Sequence, residues 1–123
     1  MNRAMVSFAF LVCTAPYTFQ NSDTLYSMID AIKQLGHRVS GVFFYIDGVI
    51  NISKKIKVEK GVRDLPAKLK ALVDSGIPVV ACSACSDYRG VDSDSIIDGA
   101  QLGGLMTLSD YIEESDKIIV FGL

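Results

Sequence analysis

Residues Met5 to Cys13 form a nearly unbroken apolar run, and its lack of alternation constrains the fold more than any other feature of the sequence. A strand with one wet face alternates apolar and polar residues, whereas a strand covered on both faces does not. The run therefore predicts an interior strand with helices above and below it. Val39 to Tyr45 repeats the pattern with β-branched and aromatic residues, Pro78 to Ala81 gives a shorter version, and Lys117 to Phe121 gives the last. Between these runs the apolar spacing is helical. Leu25, Met28, Ile29, Ile32 and Leu35 make one stripe, with Ser22 as the expected cap, Asp23 in the first turn and Gly36 as the stop. Asp64 caps a second helix, with Pro66 in its first turn, Leu65, Leu69, Leu72 and Val73 on one face, and Gly76 after it. Gly103 to Glu114 reads as a further helix with Leu105, Leu108, Tyr111 and Ile112 inward, and Ile96-Ile97 marks a short fourth strand closed by Gly99. Strands alternating with helices predict a parallel sheet of about five strands in a three-layer α/β/α sandwich.

At 123 residues, with 50% hydrophobic and 21% charged, the chain suits one domain spanning 1–123, without repeats or linkers. Net charge is -2, and the only basic cluster, Lys54-Lys55-Ile56-Lys57, lies in a polar stretch from Ile50 to Gly61 that reads as a long loop with one helical turn at most. No direct nucleic-acid binding is expected. Three cysteines beside so much core do not form a secreted disulfide framework, which points to a reducing, cytoplasmic setting. Arg3 ahead of Met5 to Val12 imitates a signal peptide, but the run is short and Val12 is a poor cleavage residue. Nothing approaches the roughly 18 apolar residues of a membrane span.

In a parallel sheet the working groups gather at the carboxyl ends of the strands. Thr14 to Gln20, Asp47 to Asn51 and Cys82 to Gly90 are thus expected along one edge. Thr14 to Gln20 has no glycine, which excludes the usual dinucleotide fingerprint, and Gly99-x-x-x-Gly103-Gly104 lacks the Lys-Ser/Thr of a phosphate loop. The single histidine, His37, sits beside Gly36 in a turn, so neither a hydrolase triad nor a metal site is expected, and no cofactor is called for. What remains is sulfur. Cys82 ends a strand and opens a helix, where backbone N–H groups favour a thiolate. Cys82-x-x-Cys85 cannot complete a zinc site alone, but it has the spacing of a redox pair; the plainer alternative is two small buried hydrophobes. Cys13 reads as core. Arg89 favours a nearby thiolate and Asp87 opposes it, and spacing does not say which lies closer. Asp47 with Gly48 has an ordinary turn role.

Three stretches resemble the DsrE/TusD-like sulfur-relay family: Val42-Phe43-Phe44-Tyr45 with Asp47-Gly48-Val49 and Asn51; Cys82 followed seven residues on by Arg89-Gly90-Val91; and Gln101-Leu102-Gly103 before a helix leading to Asp116-Lys117. Gly36-His37 also fits. The resemblance implies a parallel five-stranded α/β/α sandwich and a carrier cysteine at Cys82 that takes sulfane sulfur as a persulfide. It implies donor and acceptor protein partners, a homo- or hetero-oligomer, and a setting such as transfer-RNA thiolation or sulfur oxidation. Ser83 to Tyr88 departs from the family pattern, since carriers have mostly small residues where Cys85, Asp87 and Tyr88 stand here. Cys85 could attack the inner sulfur of a Cys82 persulfide, releasing sulfide and forming a disulfide. Two alternatives stay open: a non-catalytic structural subunit of an oligomer, and a Cys82-Cys85 dithiol redox protein.

Overall fold

The structure, a computed structural model, describes residues 4–122. Five strands, β1 (Ser7–Val12), β2 (Arg38–Phe44), β3 (Val79–Cys82), β4 (Gln101–Gly103) and β5 (Lys117–Phe121), form one sheet in the order β4-β3-β2-β1-β5, with every neighbouring pair parallel. The helices are α1 (Asn21–Gln34), α2 (Leu65–Asp74), α3 (Ser83–Tyr88) and α4 (Leu105–Glu114), with 3₁₀ segments at Ile46–Ile52 and Ser93–Ser95. The sheet grows outward from β1 to β4, then returns past β1 to place β5. Right-handed crossovers therefore put α1 and α2 on one face and α4 on the other. This is the expected three-layer sandwich.

The core forms on both faces of the sheet: Phe10 of β1 and Phe44 of β2 share one face and Phe43 of β2 points to the other, and these three, with Leu25 and Ile29 of α1 and Leu65 and Leu69 of α2, are fully buried. Gly41 lies beneath the Tyr111 ring, where a Cβ would sit 2.5 Å from Cζ, so a bare backbone lets α4 settle onto β2. Asp64 caps α2 as expected, its Oδ1 accepting from the Ala67 N–H at 3.0 Å. Gly36 and Gly76 end α1 and α2 at φ 80° and 91°. His37 is a turn residue whose Nδ1 accepts from the Val6 N–H at 3.0 Å.

Several sequence expectations are corrected. The fourth strand is Gln101–Gly103, while Ile96 makes one isolated antiparallel bridge to Ser53. Two β-prone isoleucines signalled a strand, but the chain there pairs with the loop through Ile97 N–H to Ile52 O, and a glutamine and a glycine fill the real edge position. Ser22 does not cap α1; Gln20 occupies that position without a side-chain bond, and Ser22 is buried. On α4 only Tyr111 is buried, and Leu105 and Ile112 face solvent, because one helix alone covers this face and its stripe overhangs. The segment after β2 is ordered structure up to Ile52, with Val49, Asn51 and Ile52 buried. Among the described residues, no helix is long and apolar enough to cross a membrane.

Candidate functional site

The carboxyl ends of β1, β2 and β3 deliver Cys13, Ile46 and Cys82 to one edge, as expected for a parallel sheet. Cys82 closes β3 in register with Gly103 and holds the N-cap position of α3, at φ -60° and ψ 122°. The Ser86 hydroxyl donates to the Cys82 carbonyl at 2.8 Å and ties the strand end to the helix. Cys82 is only 6% exposed. Cys85, one turn further, is half-buried. Residues three apart at a helix start share a face, and the two thiols meet there.

The surroundings of Cys85 are built by the segment after β2. Ile46 has φ 55°, a left-handed conformation that is costly for a β-branched residue. Its backbone N–H favours the Cys85 thiolate. Arg89 donates from Nη1 to the Cys85 carbonyl at 3.1 Å and from Nε to Asp47 Oδ1 at 2.8 Å, joining α3 to the 3₁₀ segment. Burial pushes the Cys85 thiol up, and the Cys82 sulfur beside it pushes it further; the Ile46 N–H and the Arg89 charge pull it down without cancelling the rise. Arg89, then, is the charge that reaches Cys85, while Asp87 is exposed.

Cys13 differs from its sequence reading as core. It follows β1, is half-buried, and lines an open, mainly apolar pocket of about 360 Å³ with Phe19, Ile46 and Asp47, above the ends of β1 and β5. Its thiol is pushed up by burial and by the charge of Cys85, so all three cysteines belong to one electrostatic neighbourhood. The run that predicted β1 extends one residue past the strand, and its apolar pattern concealed the exit into the rim.

A buried polar network holds this edge in shape. Asn51 donates from Nδ2 to the carbonyls of Thr14 at 3.1 Å and Gly48 at 2.9 Å, and its Oδ1 accepts from the Ser22 hydroxyl at 2.9 Å. Asn21 Nδ2 donates to Thr14 Oγ1 at 2.8 Å. Tyr17 pins the loop after β1 to the start of α2, its hydroxyl donating to the Arg63 carbonyl at 2.6 Å and accepting from the Leu65 N–H at 3.2 Å. A Cβ on Gly48 would run into the Val12 carbonyl oxygen, so only glycine lets the 3₁₀ segment lie against β1. Sequence reasoning missed the role of Ile46 altogether. It quoted Asn51 without a role, although a polar residue between Ile50 and Ile52 was the available signal.

A parallel α/β/α sandwich with a thiol pair at its carboxyl edge defines a cysteine-centred doubly wound protein. The chain belongs to the DsrE/DsrF-like family, whose profile matches residues 6–121. It is 27% identical over 129 residues to DsrE of Allochromatium vinosum, provisionally named a sulfurtransferase, covering 95% of this chain and 99% of that one. It is also 27% identical over 128 residues to the sulfurtransferase TusD of Buchnera aphidicola, covering 94% and 100%. The crystal structure of the YchN protein from E. coli superposes with a TM-score of 0.84 at 24% identity, over 95% of this chain and all of that one, which shows the shared fold.

Proposed function

We propose that the chain is a sulfur-carrier subunit of a sulfur relay, holding sulfane sulfur as a persulfide on Cys82 and passing it to a cysteine of a partner protein. The observation that carries this reading is the pairing of Cys82, at the end of β3, with Cys85 beneath the Ile46 N–H. The sulfurtransferase names of two full-length relatives support it. A persulfide needs no metal or organic cofactor, only a cysteine at a reachable edge with hydrogen-bond donors and positive charge to steady the anion. Ile46 and Arg89 supply both beside Cys85. Donor and acceptor are proteins or small persulfides that dock over the β1–β3 edge, in a homo- or hetero-oligomer and a reducing, cytoplasmic compartment; transfer-RNA thiolation and sulfur oxidation are the two settings in view.

A dithiol redox protein is the second reading, favoured by the contact of the two thiols; a structural subunit is the third, favoured by the burial of Cys82. Incubation with inorganic polysulfide, followed by intact-mass and fragment-ion spectrometry, separates the three. The carrier holds one added sulfur at Cys82 and yields it to an acceptor thiol. A stable Cys82-Cys85 disulfide without added sulfur establishes the redox protein, and an unmodified chain establishes the structural subunit.

A further inference from the structure

We infer that sulfur does not reach Cys82 directly: Cys85 is the loading thiol at the surface, and Cys82 is the inner store to which the sulfur migrates. This rests on the carrier reading above. Cys82 is the obvious carrier by position, yet it is 6% exposed, closed in by β3, β4 and the start of α3. Nucleophilic attack on a donor S–S bond needs the donor sulfur in line with the thiolate, which a buried atom permits only during local opening. Cys85 has no such obstacle. It is half-buried on the same face of α3, one turn away, and its carbonyl is held by Arg89. Ile46, strained at φ 55°, lies in the 3₁₀ segment that the Arg89–Asp47 pair ties to α3, on the Cys85 side of the rim.

The chemistry balances without an outside oxidant. The Cys85 thiolate attacks the outer sulfur of a donor persulfide R–S–SH; the new bond is Cys85 S–S, the donor S–S bond breaks, and R–S⁻ leaves. The Cys82 thiolate then attacks the outer sulfur of the Cys85 persulfide, giving Cys82–S–SH and restoring the Cys85 thiolate. The Ile46 N–H and the Arg89 guanidinium stabilise the sulfur that leaves in this second step.

Rapid-quench loading with inorganic polysulfide, trapping with an alkylating agent and localisation by fragment ions test the order. In the native chain, added sulfur is expected on Cys85 first and on Cys82 later. Cys82→Ser should strand the sulfur on Cys85, and Cys85→Ser should slow Cys82 loading about tenfold or more, because the buried thiol then waits for local opening. A misfolded Cys85→Ser chain would expose Cys82 and load faster, so unfolding cannot imitate this result; Cys85→Ala should behave as the serine variant does. Cys82 loading at the native rate in Cys85→Ser overturns the relay and leaves the carrier reading standing. Sulfide release with a Cys82-Cys85 disulfide in place of migration also overturns it. No added sulfur on either cysteine of the native chain overturns the relay and the carrier reading together.

Discussion

Replacing Asn51 with alanine tests whether the thiol edge is held by the polar network behind it. The side chain makes three hydrogen bonds, to Thr14 O, Gly48 O and the Ser22 hydroxyl, and Asn51 is 3% exposed. Each bond contributes about 1 kcal/mol net, and leaving the buried Ser22 hydroxyl without its acceptor costs about another 1 kcal/mol at least, so the loss is about 4 kcal/mol. With a urea dependence of about 2 kcal/mol per molar, the unfolding midpoint should fall by about 2 M. Asn51→Asp sharpens the case. It keeps an acceptor for Ser22 but turns carboxylate oxygen toward two carbonyls in a dry site, so at neutral pH it should be at least as harmful as alanine. A buried carboxyl of this kind has its pKa raised in the folded state; stability should therefore recover as pH falls toward about 4, where protonation restores a donor. Urea titration of the three proteins at pH 7 and pH 4 measures both effects. An alanine variant within about 1 kcal/mol of the native chain would show that water replaces these bonds freely and that the network does not hold the edge.

Arg89→Gln should change stability by less than about 1 kcal/mol, because its ion-pair partner Asp47 is exposed to solvent, yet it should slow alkylation of Cys85 by raising the thiol further. Asp47→Asn should act in the opposite direction by freeing the Arg89 charge, and the gap should close at high pH where both thiols are ionised; equal shifts in the two variants would refute the assignment. The Asp116 carboxyl is held below its usual range by the Ser7 backbone N–H and hydroxyl. A lowered folded-state pKa gives stability that is present above the unfolded value and lost as pH falls through the folded one. Asp116→Asn should thus lower the urea midpoint at pH 7 and match the native chain near pH 2, and a pH-independent difference would rule out the linkage.

The sheet could be read from the chain because strands buried on both faces leave a local mark: largely apolar runs at β1, β2 and β3, with α1 and α2 between them each closed by a glycine stop. Asp64 and Gly76 bounded α2 as written, since a cap and a positive-φ stop act within one turn. The parallel arrangement follows from the alternation, and it puts Cys82 at the carboxyl edge of the sheet. β4 was misplaced because an edge strand of three residues takes its identity from its partner, β3, and not from its own Gln101-Leu102-Gly103.

Sequence alone settled the fold and the address of one cysteine, because hydrophobic period and helix-end chemistry are properties of neighbouring residues. Tertiary structure alone decided which groups surround that cysteine. Cys13, the 3₁₀ residues Ile46 and Asn51, and Arg89 come from three different segments, and only their convergence makes Cys13 part of the rim, brings Ile46 beside Cys85 and closes Cys82 from solvent. No periodicity records an encounter between residues so far apart in the chain; the packing of three strand ends against a 3₁₀ turn creates it.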